Sequence, residues 1–346
     1  MENRTTRKHG SPVALSVAAA LLTLLGIWLL LSATTTTTTG GGRSEASVGV
    51  ATTIIPAPDA GDDDAGGPPA VSKRFDAARA LEHVDAMESY GPRRSGSAAE
   101  RAAADYILEE LRKTGYDAHT DSFDLPKGRH SLNVRATLHG TGPQTLILGA
   151  HMDSKAPSPG ANDNLSGCAV LLEVARVLAE DGGAASVEFV FFGGEEMVDG
   201  NPDHHHYGSR AFVSGMSHAE LASTAGMISV DMVGHGSYFA VRSMRRGPQS
   251  LQTMVLARAQ DAGLPAKAVR DPGKYGWSDH EPFELAGIPA TWIEWRQDPS
   301  YHSRGDTGSR LMAKRIQASG EFIADYLRGL SGSDLQMLQR SARIER

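Results

Sequence analysis

Cysteine is all but absent from this 346-residue chain: Cys168 stands alone, which excludes any intrachain disulfide. It lies in an apolar helical stretch and reads as a small buried hydrophobe rather than a nucleophile. A protein outside the cytoplasm does without disulfides when its core is large enough. Positive charge is also in short supply. Lys and Arg number 34 against 41 Asp and Glu, a net charge of -7. That balance argues against nucleic acid as a partner, because phosphate binding needs a concentrated basic face. No internal repeat is evident.

What is present is unevenly distributed. Residues 13–31, VALSVAAALLTLLGIWLLL, form a nearly unbroken apolar run preceded by Arg4, Arg7 and Lys8. As a helix the run reaches ~28 Å, close to the ~30 Å hydrocarbon thickness of a bilayer. A cleavable signal peptide is the alternative, with a secreted product; its apolar core is usually only ~7–15 residues long. We read 1–12 as a cytoplasmic N-terminus and 13–32 as a transmembrane signal-anchor, with the remainder outside the cytoplasm, since the cations precede the span. Residues 33–70 carry TTTTTTGGG and DAGDDDAGG. Such a stretch has little apolar surface to bury and is expected to be a disordered linker with a reach of ~30–36 Å.

From 71 to 330 helical and strand patterns alternate. Ser97 to Thr114, Leu165 to Glu180, Ser250 to Ala262 and Arg310 to Leu327 read as helices. Ser131 to Leu138, Thr145 to Leu148, Ser186 to Phe192, Met227 to Met232 and Ala290 to Ile293 read as strands. The pattern predicts an α/β fold, a single three-layer domain with a largely parallel, mixed central sheet flanked by helices. Sites in such folds sit beyond the carboxyl ends of strands. Residues 331–346 are expected to be a polar tail.

Chemistry-bearing residues recur at those strand ends. GAHMDS places His151 after a short strand, and Asp153 is positioned to accept the other ring N–H of a ligating imidazole. PGANDNLSG places Asp163 just before a helix, where a carboxylate can bridge two metal ions. SVEFVFFGGEE ends in Glu195 and Glu196, adjacent carboxylates pointing in different directions; one can bind metal while the other serves as a general base. Asp231, in SVDMVG, would be a costly buried charge without a cation or donor. SYHSRGDT supplies His302, with Asp306 as its candidate partner. One imidazole and one carboxylate on either side of a shared carboxylate is what two neighbouring zinc ions need, and such a pair suits hydrolysis of an amide or ester.

Two further groups invite a functional reading. Tyr275, Trp277 and Phe283 flank Ser278-Asp279-His280; the aromatics are candidate pocket walls and Asp279 a candidate for the substrate amine. The run His204-His205-His206 is expected to be an exposed loop rather than a third metal site.

The order GAHMDS, PGANDN, GGEE, SVDMVG, SDHEPF and YHSRGDT resembles metallopeptidase family 28, the co-catalytic di-zinc aminopeptidases, from about Arg93 to the helix at Arg310. The resemblance implies a zinc exopeptidase with two zinc ions per chain, acting on peptides with a free N-terminus. It implies that His151, Asp163 and Asp231 serve one zinc and Asp163, Glu196 and His302 the other, with Glu195 as the base. One stretch departs from the pattern. MVDGNPDHHHY intervenes between Glu196 and Gly208-Ser209, an expansion similar to the glutaminyl cyclases, relatives that cyclise N-terminal glutamine with one zinc. Cyclisation is therefore the alternative activity, although NDNLSG matches the peptidases better. A non-catalytic, peptidase-like ectodomain is the third reading, and the full ligand set argues against it.

Overall fold

Apolar stretches without polar alternation imply strands covered on both faces, and the computed structural model places them at the centre of one sheet. It describes residues 74–343 apart from 180, 182 and 202. The expected membrane span at 13–32 and linker at 33–70 lie outside the described residues. Among those described, no helix is long and apolar enough to cross a membrane.

The described residues open with helices α1 (Ala77–Glu88) and α2 (Ala98–Lys113), then strands β1 (His119–Leu125), β2 (Arg129–Leu138) and β3 (Thr145–His151). Helix α3 (Ser166–Leu178), β4 (Ser186–Phe192), α4 (Tyr207–Gly215), α5 (His218–Ser223) and β5 (Thr224–Val230) follow. The remainder comprises β6 (Tyr238–Ser243), α6 (Ser250–Asp261), β7 (Ala266–Arg270), α7 (His280–Leu285), β8 (Ala290–Arg296), α8 (Ala313–Arg328) and α9 (Gly332–Ser341).

The strands form one sheet in the order β1-β2-β4-β3-β5-β8-β6-β7. The inner four, β4, β3, β5 and β8, are mutually parallel. Antiparallel pairing joins β1 to β2, β2 to β4 and β6 to β8, so the expected α/β domain has a mixed sheet that is parallel at its centre. Side chains alternate across it. Leu146, Leu148 and Ala150 of β3 join the larger core with α1, α2, α3 and α8, whereas Ile147 joins a smaller one with Phe212 of α4 and Phe283 of α7. Burial on both faces accounts for the unbroken apolar strands.

Helix α3 is buried on nearly every side, because α1 and α8 pack over its outer face. Its Glu173 is buried with Arg176 at 2.6 Å and accepts the Asp76 amide at 3.0 Å. Gly167 permits the close approach of α3 to β5: a Cβ there would lie 2.1 Å from the Val230 carbonyl oxygen. At the other end of the domain, the expected polar tail is corrected in part. Residues 332–341 form α9, whose Ser331 N-cap makes a capping box with Asp334, and Leu335 and Leu338 are fully buried in the larger core. The polar majority of this segment masked two apolar positions on one helical face.

If α9 belongs to the core, Leu335→Ala should cost about 2–5 kcal/mol, the usual loss for a buried leucine. The check is a urea titration, with a lowered midpoint and an unchanged slope.

Candidate metal centre

Because the central strands are parallel, their carboxyl ends open along one edge of the sheet. His151 is the last residue of β3, Asp231 follows β5, Glu195 and Glu196 follow β4 after two glycines, and His302 lies in the loop beyond β8. Asp163 sits in the turn Ala161–Leu165 that leads into α3. The two glycines are required. A Cβ on Gly193 would lie 2.3 Å from Ser131 Oγ, and Gly194 adopts φ 63°, a left-handed conformation that disfavours side chains. His302 and Met232 hold left-handed φ values of 54° and 57° without being glycine, local strain beside the converging ligands.

The structure brings five of the candidate residues into two groups that share Asp163: His151, Asp163 and Asp231 form one, and Asp163, Glu196 and His302 the other. His151 Nε2 lies 3.2 Å from Asp163 Oδ1 and 3.6 Å from Asp231 Oδ1. His302 Nε2 lies 3.1 Å from both Asp163 Oδ2 and Glu196 Oε1. His151 Nε2, Asp163 Oδ2, Glu196 Oε1 and Asp231 Oδ1 are buried and have no hydrogen-bond partner of acceptable geometry. Buried polar atoms are ordinarily satisfied, and unsatisfied ligand atoms converging from several strands are what a bound cation resolves. Imidazole with carboxylate is a zinc-type donor set.

Electrostatics agree. Burial works to lower the His151 pKa, but the Glu195 and Asp231 carboxylates outweigh it and hold it well above the ordinary value. His302 is pushed up to about 9 against burial by Asp163 and Glu196. Burial would raise Asp163, yet the two imidazoles keep it well below the usual carboxylate range. For Glu195, burial and then the neighbouring Glu196, Asp279 and Asp231 carboxylates push the pKa well above that range, against the pull of His151.

Supporting residues hold the ligands in place, two of them differently from expectation. The Asp153 carboxylate is 3.6 Å from His151 Nδ1, which lies closer, at 3.2 Å, to the Asp153 main-chain carbonyl. The carboxylate itself accepts from Ser95 Oγ at 2.8 Å and from the amides of Glu195 and Glu196 at 3.0 and 3.2 Å. Asp306 does not orient His302 in the way expected; it accepts from the amides of Asn162 and Asp163 at 2.6 and 3.2 Å. In both cases a backbone N–H, which must be satisfied when buried, claims the carboxylate. Ser278 Oγ donates to Asp231 Oδ2 at 2.7 Å.

A cavity of about 390 Å³ opens over Asp163, Glu195, Asp231 and His302, walled by Trp277, Trp292 and Tyr301, with Glu294 and Asp298 also in its lining. Of the candidate aromatics only Trp277 takes part. Tyr275 donates to Asp203 at 2.6 Å away from this cavity, and Phe283 belongs to the smaller core. Asp279 is fully buried outside the lining, its pKa pushed up to about 7 by burial.

The histidine run divides. His204 is half-exposed and pairs with Asp199 at 2.9 Å, whereas His205 and His206 are buried. His206, left-handed at φ 53°, brings Nε2 to 3.0 Å from Glu195 Oε1, a contact that sequence reasoning missed. Its signal was the expanded loop itself. His205, His206 and Glu281 also lie close enough to share an ion, but Arg210 already supplies Glu281 with a cation at 3.1 Å. Also missed was the fully buried Arg93, whose guanidinium donates to the carbonyls of Met152, Pro159 and Gly160 and so shapes the loop between His151 and Asp163.

Comparison with known proteins follows the same lines. The model of peptidase family M28 matches residues 133–327, a span that contains His151, Asp163, Glu195, Glu196, Asp231 and His302. Aminopeptidase YwaD of Bacillus subtilis is 30% identical over 191 residues, 52% of this chain and 40% of its own length. The chain spans 40% of that relative's length, and 44% and 31% of two other curated relatives that it matches. A zinc aminopeptidase from Bacillus subtilis superposes with a TM-score of 0.67 at 19% identity, covering 76% of this chain and 98% of that one. A glutaminyl cyclase from Bacteroides thetaiotaomicron gives 0.66, also at 19% identity, covering 75% and 99%. These superpositions speak for a common fold. The family match, by contrast, takes in more than half of the chain and every residue of the two ligand groups, and it follows that the chain belongs to peptidase family M28.

Proposed function

We propose that this protein is a zinc aminopeptidase that removes N-terminal residues from peptides. One zinc would be held by His151, Asp163 and Asp231, and a second by Asp163, Glu196 and His302. The observation that carries this reading is the shared carboxylate: Asp163 turns one oxygen toward each imidazole, at 3.2 and 3.1 Å. Bound zinc supplies a polarised carbonyl and a water of lowered pKa.

Glu195 belongs to neither ligand group and is the proposed base. Its Oε1 accepts from His206 Nε2 at 3.0 Å, and its Oε2 faces the ligands, 3.9 Å from His151 Nε2. Burial, with the nearby His205 and Arg210, holds the His206 pKa well below its ordinary value, so the ring stays neutral and donates one N–H. That bond fixes the carboxylate and leaves Oε2 to take a proton from the attacking water. The same proton passes to the amine nitrogen as the C–N bond breaks, regenerating the carboxylate. The aromatic cavity would receive the N-terminal side chain. In this proposal the expected signal-anchor at 13–32 tethers the domain outside the cytoplasm.

A second reading, glutaminyl cyclase, is favoured by one feature, the expanded loop that carries His206. In it the substrate's own amine attacks its side-chain amide and ammonia leaves. Aminoacyl and glutaminyl peptides assayed side by side, on a sample whose metal is counted, separate the two. Release of N-terminal residues with two zincs bound supports hydrolysis; pyroglutamate with one zinc supports cyclisation.

Four outcomes are expected. Glu195→Gln should lower turnover by about 100- to 10,000-fold, the usual worth of a general base, while metal content is retained; an active variant removes Glu195 from the role. His206→Ala should lower kcat on the order of tenfold with a smaller change in KM, as loss of a hydrogen bond to a charged group predicts. Chelation should abolish activity and zinc restore it. His302→Ala should then lose one of the two ions and Asp163→Asn both, as counted by atomic emission.

A further inference from the structure

A second cavity, about 640 Å³, reaches the ligand groups by another route: Glu196 is in its lining, and it shares no lining residue with the aromatic cavity. Its character is opposite. Arg94, Lys127, Arg129 and Lys155 all line it. None of the four takes part in an ion pair with another described residue; Arg129 donates only to the Ser95 carbonyl, at 3.1 Å. Two acids share the lining, and both are engaged: Glu196 in the ligand group and Asp199 with His204. Four cations against two acids around one cavity, in a chain of net charge -7, create a local field of opposite sign to the protein as a whole.

The aromatic cavity differs in just this respect. Its arginines are neutralised, Arg242 by Asp271 and Glu294 and Arg296 by Glu294, while its floor is made of carboxylates. A peptide with a free N-terminus carries positive charge at one end. The cationic cavity repels that end and attracts an anion, so the site as a whole has an electrical direction across the ligand groups.

We propose that the cavity lined by Arg94, Lys127, Arg129 and Lys155 binds a carboxylate of the substrate on the leaving-group side of the scissile bond. This rests on the aminopeptidase reading and specifies its substrate class. Two sources present that chemistry: the C-terminal carboxylate of a very short peptide, and an acidic side chain just after the N-terminal residue. Guanidinium and ammonium groups accept either.

The test is steady-state kinetics on the zinc-loaded full chain with four substrates that share one well-cleaved N-terminal residue Xaa: Xaa-Gly, Xaa-Gly-amide, Xaa-Asp-amide and Xaa-Asn-amide. The expected result is a KM about tenfold lower for the carboxylate-bearing member of at least one pair, with kcat little changed; tenfold corresponds to ~1.4 kcal/mol. An advantage in the first pair assigns the terminal carboxylate, and one in the second the side chain. The advantage should shrink as salt is raised, because partly exposed charges are screened. It should also shrink in Lys127→Gln/Lys155→Gln, read as the acid-to-amide ratio of KM within that variant. Should the variant fail to fold, the salt series on the unaltered protein decides. Equal KM values within both pairs at low salt, with all four peptides cleaved, overturn the inference and leave the aminopeptidase reading standing. No cleavage of any peptide removes that reading, and this one with it.

Discussion

Asp163 is held between two imidazoles while three further carboxylates crowd the same strand edge, and much of the local architecture answers that repulsion. Two like charges 4 Å apart repel by about 4 kcal/mol at the effective dielectric of a protein surface. Apart from the two imidazoles, the domain offers no cation against this: among the described residues no Lys or Arg forms an ion pair with Asp163, Glu195, Glu196 or Asp231. A hydroxyl and two further carboxylates do the holding instead. Ser278 steadies Asp231 directly, Asp306 takes the backbone around Asp163, and Asp153 takes the amides of Glu195 and Glu196. None of these contacts brings positive charge to the cluster, and Asp153 and Asp306 fix the backbone that carries it, which leaves its demand for positive charge open to an ion.

Much of this was legible before any coordinates. The buried central strands and the long helices stand out because an apolar run of strand length, or a four-residue recurrence, leaves few alternatives. The ligand residues stand out because each interrupts such a run at its end, where an unexplained polar group is costly. What escaped was mostly half-exposed or short, although helix α1 and the buried strand β6 escaped as well. Strand β1, HTDSFDL, pairs on one side only and carries mixed residues; β7, AKAVR, is an edge strand with few buried positions. Helices α4, α5 and α7 are too brief for periodicity to show, and α9 hides two core leucines among polar neighbours.

The supporting roles were harder to see for a different reason. Proximity in sequence suggested that Asp153 would serve His151 and that Asp306 would serve His302, yet each reaches across the fold to backbone amides of another segment. Spacing along a chain says which side chains are near; it does not say which buried N–H lacks a partner. His206 belongs to the same class. Its histidine run looks like loop surface until the left-handed turn at that residue brings the ring onto Glu195.

Arg93 carries a consequence for where the working unit begins. Its buried guanidinium shapes the Met152–Gly160 loop, its neighbour Ser95 donates to Asp153, and Glu100 accepts the amide of Gly194. All three lie upstream of residue 133, where the match to the family begins, and α9 lies beyond its end at 327. A segment trimmed to the recognisable boundaries would keep every metal-facing side chain and lose the struts behind them. It would also lose α1 from the outer face of α3, uncovering apolar surface. Recognition and self-sufficiency therefore have different borders in this protein, the second enclosing the first on both sides.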